Sequence, residues 1–246
     1  MIITLKDGSK KEYSEAKSVI DIAYDISEGL ARAACAGEVN GEVVDLRTVL
    51  DSDCELNILT AKDEKGLAVL RHTASHVLAQ AVQTLYPEAK VAIGPSIDTG
   101  FYYDFDHAPF SREDLDAIEK EMKKIIKKVQ RSSASQKSRE EAIAYFKEKN
   151  EPYKVELVED LPERRRNFLL FTGRLDRSLC RTTPDECESL SKHLNFFLLP
   201  VLIGEEAKMN AMLTRIYGTA YATKDELKNI WNRWKKQRNV TITTRT

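Results

Sequence analysis

The stretch "HTASHVLAQAVQTLYPEAKVAIGPSIDTGFYYDFD", residues 72–106, sets an apolar helix against β-prone runs, and its reading decides the fold. In its first half the apolar residues recur at helical spacing around His72 and His76. Positions i and i+4 share one helical face, so both imidazoles can be aimed at one point, as metal ligands or a general base would be. The same spacing fits two satisfied or solvated histidines. The metalloprotease pattern, which needs Glu after the first His, is absent because Thr73 stands there. The helix is expected to stop at Pro87, since proline lacks an amide proton and disfavours helix in the residue before it. Beyond it, Gly94, Pro95 and Gly100 break runs rich in aromatic and β-branched residues, which reads as strand, turn, strand.

Working outward toward the N-terminus, "MIITLKDGSKKEY" reads as a hairpin around Asp7-Gly8. From Val19 the residues Ile22, Ile26 and Leu30 predict one helix ending near Gly37, after which "GEVVDL" and "ELNILTA" read as strands. Residues 1–61 thus form a small mixed sheet crossed by a helix. Working toward the C-terminus, Ser111 with Asp114 is a capping-box signature, and Leu115, Ile118, Met122, Ile125, Ile126 and Val129 make one apolar stripe. The "KKIIKK" end of that helix could touch phosphate or complement the helix dipole. "SSASQK" reads as a link, Ser138 with Glu141 caps another helix, and "YKVELVED" reads as a strand.

Composition bounds the rest. A chain of 246 residues with 42% hydrophobic residues can build one large or two small cores. Lys and Arg total 38 against 39 Asp and Glu, so the net charge of −1 exerts no global pull on nucleic acid, and any RNA contact must be local. The cysteines Cys35, Cys54, Cys180 and Cys187 form no CxxC pair, and "MIITLKDGSKK" lacks a signal-peptide core; a reducing cytoplasm is the expected location. The longest apolar run, "FFLLPVLIG", is about half a membrane span, so no membrane partner is expected.

On these motifs residues 72–106, with "RIYGTAYATKDEL" at 215–227, resemble the editing domain of bacterial threonyl-tRNA synthetase, and residues 1–61 are similar to the TGS domain that precedes it. The resemblance implies an α+β architecture: a ubiquitin-like β-grasp domain over 1–61, then an editing domain over 62–228 with a mixed or antiparallel sheet and packed helices. It implies hydrolysis of serine wrongly attached to threonine tRNA. A pocket discriminating by one methyl group gains only about 1–3 kcal/mol, so such an enzyme needs a second, hydrolytic site. The resemblance places His72, His76, Tyr103, Lys154 and Cys180 at that site, with the tRNA(Thr) acceptor end as partner, no DNA and no cofactor. Tyr103 could instead simply pack in a strand, and Lys154 be solvated. Zinc held by the histidines with Cys180 or Cys187 is an alternative.

The resemblance fails after Glu163. The family completes its site with a "DLCxGPH" segment, where this chain has "RSLCRTTPDEC", with Pro184 in the histidine's place. Permitted codons for residues 177–184, read from the second base, yield "DLCAGPH"; those for 199–206 and those from Ile230 onward, read from the third base, yield "TGAYWRG" and "MEPVEEAKKRDH", so at least one further shift lies inside the segment. Residues 164–209 are therefore read as out of frame and 229–246 as an aberrant tail. The cysteine codon of the alternate frame straddles Leu179 and Cys180, so the position of Cys180 matches by accident. "RRR" at 164–166 mimics an RNA patch but reads as a product of the shift or a solvated run. Residues 164–209 are expected to pack poorly, because their inward positions no longer alternate apolar and polar. On this reading the chain carries no aminoacylation core, through which full-length family members dimerise. Its alternatives are a non-catalytic tRNA- or protein-binding module, or a broken reading frame without activity.

Overall fold

The computed structural model describes residues 1–127, 133–161, 167–172, 178–179, 195–203, 213–223, 225–230 and 232–233. The hairpin expected at Asp7-Gly8 forms between β1 (Ile2–Leu5) and β2 (Lys10–Glu12), with Gly8 at φ 82°, a backbone conformation that glycine adopts without a steric penalty. There follow β3 (Lys17–Ser18), α1 (Val19–Ile26), α2 (Glu28–Ala33), β4 (Ala34–Val39), β5 (Glu42–Val44), β6 (Val49–Leu50) and β7 (Cys54–Thr60). The main sheet has the order β2-β1-β7-β4-β5, with β1 and β7 parallel and the other pairs antiparallel, so it is mixed as expected. Ile3, Val19, Ile22, Ala23 and Leu56 fill the core beneath it.

The single helix predicted from Val19 to near Gly37 is instead two helices and a strand. Ser27 ends α1, its N–H donating to the Ala23 carbonyl, and starts α2, its side chain accepting from the Leu30 amide at 3.0 Å. A serine at an N-cap competes with helix continuation, and β4 is then drawn into the sheet by pairing with β7.

The second half begins with α3 (Glu64–Leu85), which ends before Pro87 as expected, then β8 (Lys90–Val91), β9 (Ser96–Ile97), β10 (Gly100–Asp106) and α4 (Arg112–Lys127). The Ser111–Asp114 box is present: the Asp114 amide donates to Ser111 Oγ, and Asp114 Oδ2 accepts from the Ser111 amide at 2.8 Å. The α4 stripe from Leu115 to Ile126 is buried against α3, while Val129 lies outside the described residues. Next come β11 (Ser133–Ser138), α5 (Arg139–Glu148), α6 (Pro152–Asp160), β12 (Asn167–Thr172), β13 (Ser178–Leu179), β14 (Asn195–Ile203) and β15 (Leu213–Tyr221).

Two local expectations are corrected here. Of "SSASQK", residues 133–137 are not a free link but part of β11, paired antiparallel with β12, and residue 132 lies outside the described residues. "YKVELVED" is a helix, not a strand: Pro152 occupies its first turn, where a missing amide proton is no loss. At its far end Arg139 Nη2 donates to the carbonyls of Val158, Glu159 and Leu161 at 2.6–2.7 Å. α6 buries Tyr153, Lys154 and Val158 on one helical side.

An antiparallel sheet of order β14-β15-β10-β8 carries α3 and α4 on one face, with Phe101, Tyr103, Phe105 and Ile216 turned into that core. On its other face Arg215 forms a two-point pair with Asp104, at 2.6 and 2.9 Å, and lies 3.7 Å from the Tyr102 ring centroid. Within 164–209, the described backbone of β12, β13 and β14 is paired into sheets. Such pairing uses main-chain groups, so it does not by itself require the lost side-chain alternation. The two halves share packing: Cys35 of β4 belongs to the α3 core, and Val69 of α3 packs with Ala36 and Leu59 on the outer face of the first sheet.

Candidate functional site

Thirteen of the 22 residues of α3 are buried, so this helix runs through the centre of its half and carries its imidazoles with it. His72 Nε2 and His76 Nε2 are 3.1 Å apart, with ring centroids at 4.6 Å and planes crossing at 88°. A hydrogen bond between two imidazole nitrogens needs one protonated and one bare nitrogen, so the contact excludes two imidazolium rings facing each other. His76 is only 6% exposed. Burial first, then the positive charge of a protonated His72 and of Lys154, hold the His76 pKa well below the usual imidazole value; burial and Lys154 lower that of His72.

The cation responsible comes from α6. Lys154 is 4% exposed, and its Nζ donates to Tyr103 Oη at 2.9 Å. An ammonium group removed from water needs such a partner, because an uncompensated buried charge is far costlier than the lost chain entropy. Tyr103, 2% exposed, packs in β10 against Phe105 and presents its hydroxyl to Lys154. Lys154 is not solvated. Three of its surroundings fix α6: Tyr153 Oη donates to Asp106 Oδ2 at 2.9 Å, Gln83 Nε2 of α3 donates to Glu151 Oε1 at 2.9 Å, and Arg139 holds the far end.

The structure thus brings together His72, His76, Tyr103 and Lys154 from α3, β10 and α6. Cys180 and Cys187 lie outside the described residues. Among the described residues no group of three or more His, Cys, Asp or Glu could hold a metal ion, and no helix is long and apolar enough to cross a membrane. Neutral, desolvated imidazoles beside a buried ammonium suit proton abstraction from water next to a developing anion.

The sequence reading missed three residues that hold this arrangement. Arg71, 6% exposed, donates to the carbonyls of Asp98 at 2.5 Å and Ala220 at 3.2 Å, tying α3 to the β9–β10 turn and to β15. Ser75 and Gly94 connect α3 to the segment before β9. The Gly-Pro pair at 94–95 was a visible signal, although it was read only as a turn. For Arg71, charge argued for solvent.

The N-terminal β-grasp unit is that of a TGS-bearing protein: the family model "TGS domain" matches residues 1–60. The relatives narrow this further. The chain is 51% identical over 228 residues to the threonine–tRNA ligase of Acetivibrio thermocellus, covering 92% of this chain and 35% of that protein. It is 44% identical over 228 residues to that of Caldanaerobacter subterraneus, with the same coverage. With that of Clostridium botulinum strain Kyoto it shares 47% over 232 residues, or 94% of this chain and 36% of the relative. The chain matches the N-terminal TGS and editing region of these threonine–tRNA ligases, and spans about 35% of their length.

Proposed function

We propose that this region hydrolyses seryl-tRNA(Thr), and that His72, His76, Tyr103 and Lys154 form the half of its site that lies in the described residues. The observation that carries the reading is the 3.1 Å contact between the buried His76 imidazole and the half-buried His72 imidazole, beside the Lys154 ammonium. A water attacks the ester carbonyl while an imidazole takes one of its protons; the carbonyl oxygen, negative in the tetrahedral intermediate, faces the ammonium side of the site; collapse breaks the ester C–O bond, and the leaving ribose oxygen takes that proton back from the imidazolium. Serine and the tRNA acceptor end are the products. A cytoplasmic location follows from that substrate.

In this reading residues 1–61 are the TGS module, 62–228 the editing domain with 164–209 out of frame, and 229–246 the aberrant tail. The absence of a histidine at Pro184 favours a second reading, a module that binds tRNA without hydrolysing it. The test is incubation of the full chain with Ser-tRNA(Thr) and Thr-tRNA(Thr). Hydrolysis of the seryl ester alone, lost in His72→Asn and His76→Asn, supports the editing reading; tRNA retardation without deacylation supports the second. Sequencing the gene across codons 163–210 tests the frame.

A further inference from the structure

The imidazole pair and Tyr103 reach the site from different elements, α3 and β10, and a side chain that belongs to neither reacting group bridges α3 to the segment lying on Tyr103. Ser75 lies between the two histidines in α3, is fully buried, and its Oγ is 2.7 Å from the His72 carbonyl and 2.8 Å from the Gly94 carbonyl. A hydroxyl has one proton. The first acceptor is the preceding turn of its own helix, an ordinary local alternative for serine; the second crosses to the segment between β8 and β9.

Gly94 is pressed on the ring of Tyr103: a Cβ at this position would stand 2.0 Å from Tyr103 Cδ2 and 2.2 Å from Cε2. The segment is otherwise held by β10, where the Asp104 amide donates to the Ile93 carbonyl at 2.9 Å and the Tyr102 amide to the Pro95 carbonyl at 3.3 Å. The contacts close a ring, from the His72 turn through Ser75, Gly94 and Tyr103 to Lys154, whose charge acts back on both histidines.

We propose that Ser75 is a positioning residue: its hydroxyl latches the Ile93–Pro95 backbone to α3 and so fixes the Tyr103 ring, and the Lys154 ammonium bound to it, relative to the two imidazoles. Its part in catalysis rests on the hydrolytic reading above; the latch itself does not. Removing the hydroxyl takes from the Gly94 carbonyl its donor on α3, and the backbone pressed on the Tyr103 ring loses that tether.

Ser75→Ala in the full chain tests this with two measurements. Hydrogen exchange of the Tyr102 and Asp104 amides is expected to accelerate about tenfold, the order of one lost buried hydrogen bond, while exchange in β1 and β7 is unchanged. Deacylation of Ser-tRNA(Thr) is expected to fall in kcat with little change in KM, and Ser75→Cys, which keeps a weak donor, to recover part of both effects. Unchanged exchange at Tyr102 and Asp104 overturns the latch whatever the activity. Faster exchange with unaltered kcat overturns the positioning role. Faster exchange in a chain whose unsubstituted form hydrolyses nothing upholds the latch and sinks the hydrolytic reading.

Discussion

Burial is the largest influence on His72 and His76, and it sets the direction of their pH behaviour. Both are held neutral below the pH at which a free imidazole protonates. The acid limb of kcat/KM for deacylation is therefore expected below about pH 6.5, and His76→Asn to remove about 10²–10⁴-fold of the rate. The same shift is a stability statement. With folded-state pKa values below the unfolded value, the unfolded chain binds more protons in the window beneath about 6.5. Stability is complete above that pH and is lost as pH falls through it toward the folded-state values. Melting temperature measured from pH 7.5 to 5 should drop, and less steeply in His76→Asn. The i, i+4 spacing was legible in the sequence because it follows from helix geometry alone. The environment of Lys154 was not: its burial depends on Tyr103, 51 positions away.

At the scale of elements, α6 is an arm whose N-terminal turn delivers Lys154, and the capping of α5 and α6 holds it in place. Ser138 and Glu141 form a reciprocal capping box at the start of α5, and Arg139 closes the carbonyl end of α6. Ser138→Ala should cost about 1 kcal/mol by urea unfolding. Arg139→Ala should cost at least as much, because three terminal carbonyls lose a charged donor, and should lower deacylation through Lys154. Lysine at 139, with a point charge in place of a planar fork, should restore less than half of either loss. The capping box was readable from a four-residue pattern. That "YKVELVED" is a helix was not, since its alternation fits a strand and its terminal cap comes from a residue 19 to 22 positions earlier.

Over the whole molecule, the N-terminal sheet is a support for the histidine helix. Val69 packs on Ala36 and Leu59, Lys65 is paired with Glu38, and Gly66 is seated on the Thr60 backbone, where a Cβ would stand 2.1 Å from the carbonyl oxygen. Gly66→Ala must displace main chain, and should destabilise by about 1–3 kcal/mol. Because the two halves share these contacts, exchange of amides in β7 and in α3 should rise together in that variant; a rise confined to one side would show that the halves unfold separately. Two hairpin-forming runs, the helix of paired histidines and its stop at Pro87, and both capping boxes were determined by the sequence itself, because each rests on periodicity or on contacts within four residues. Only tertiary structure decided that Ser27 divides a helix, that Lys154 is buried on α6, and that Arg71 is enclosed. Those outcomes depend on partners distant in the chain, whose burial and hydrogen bonds override local propensity.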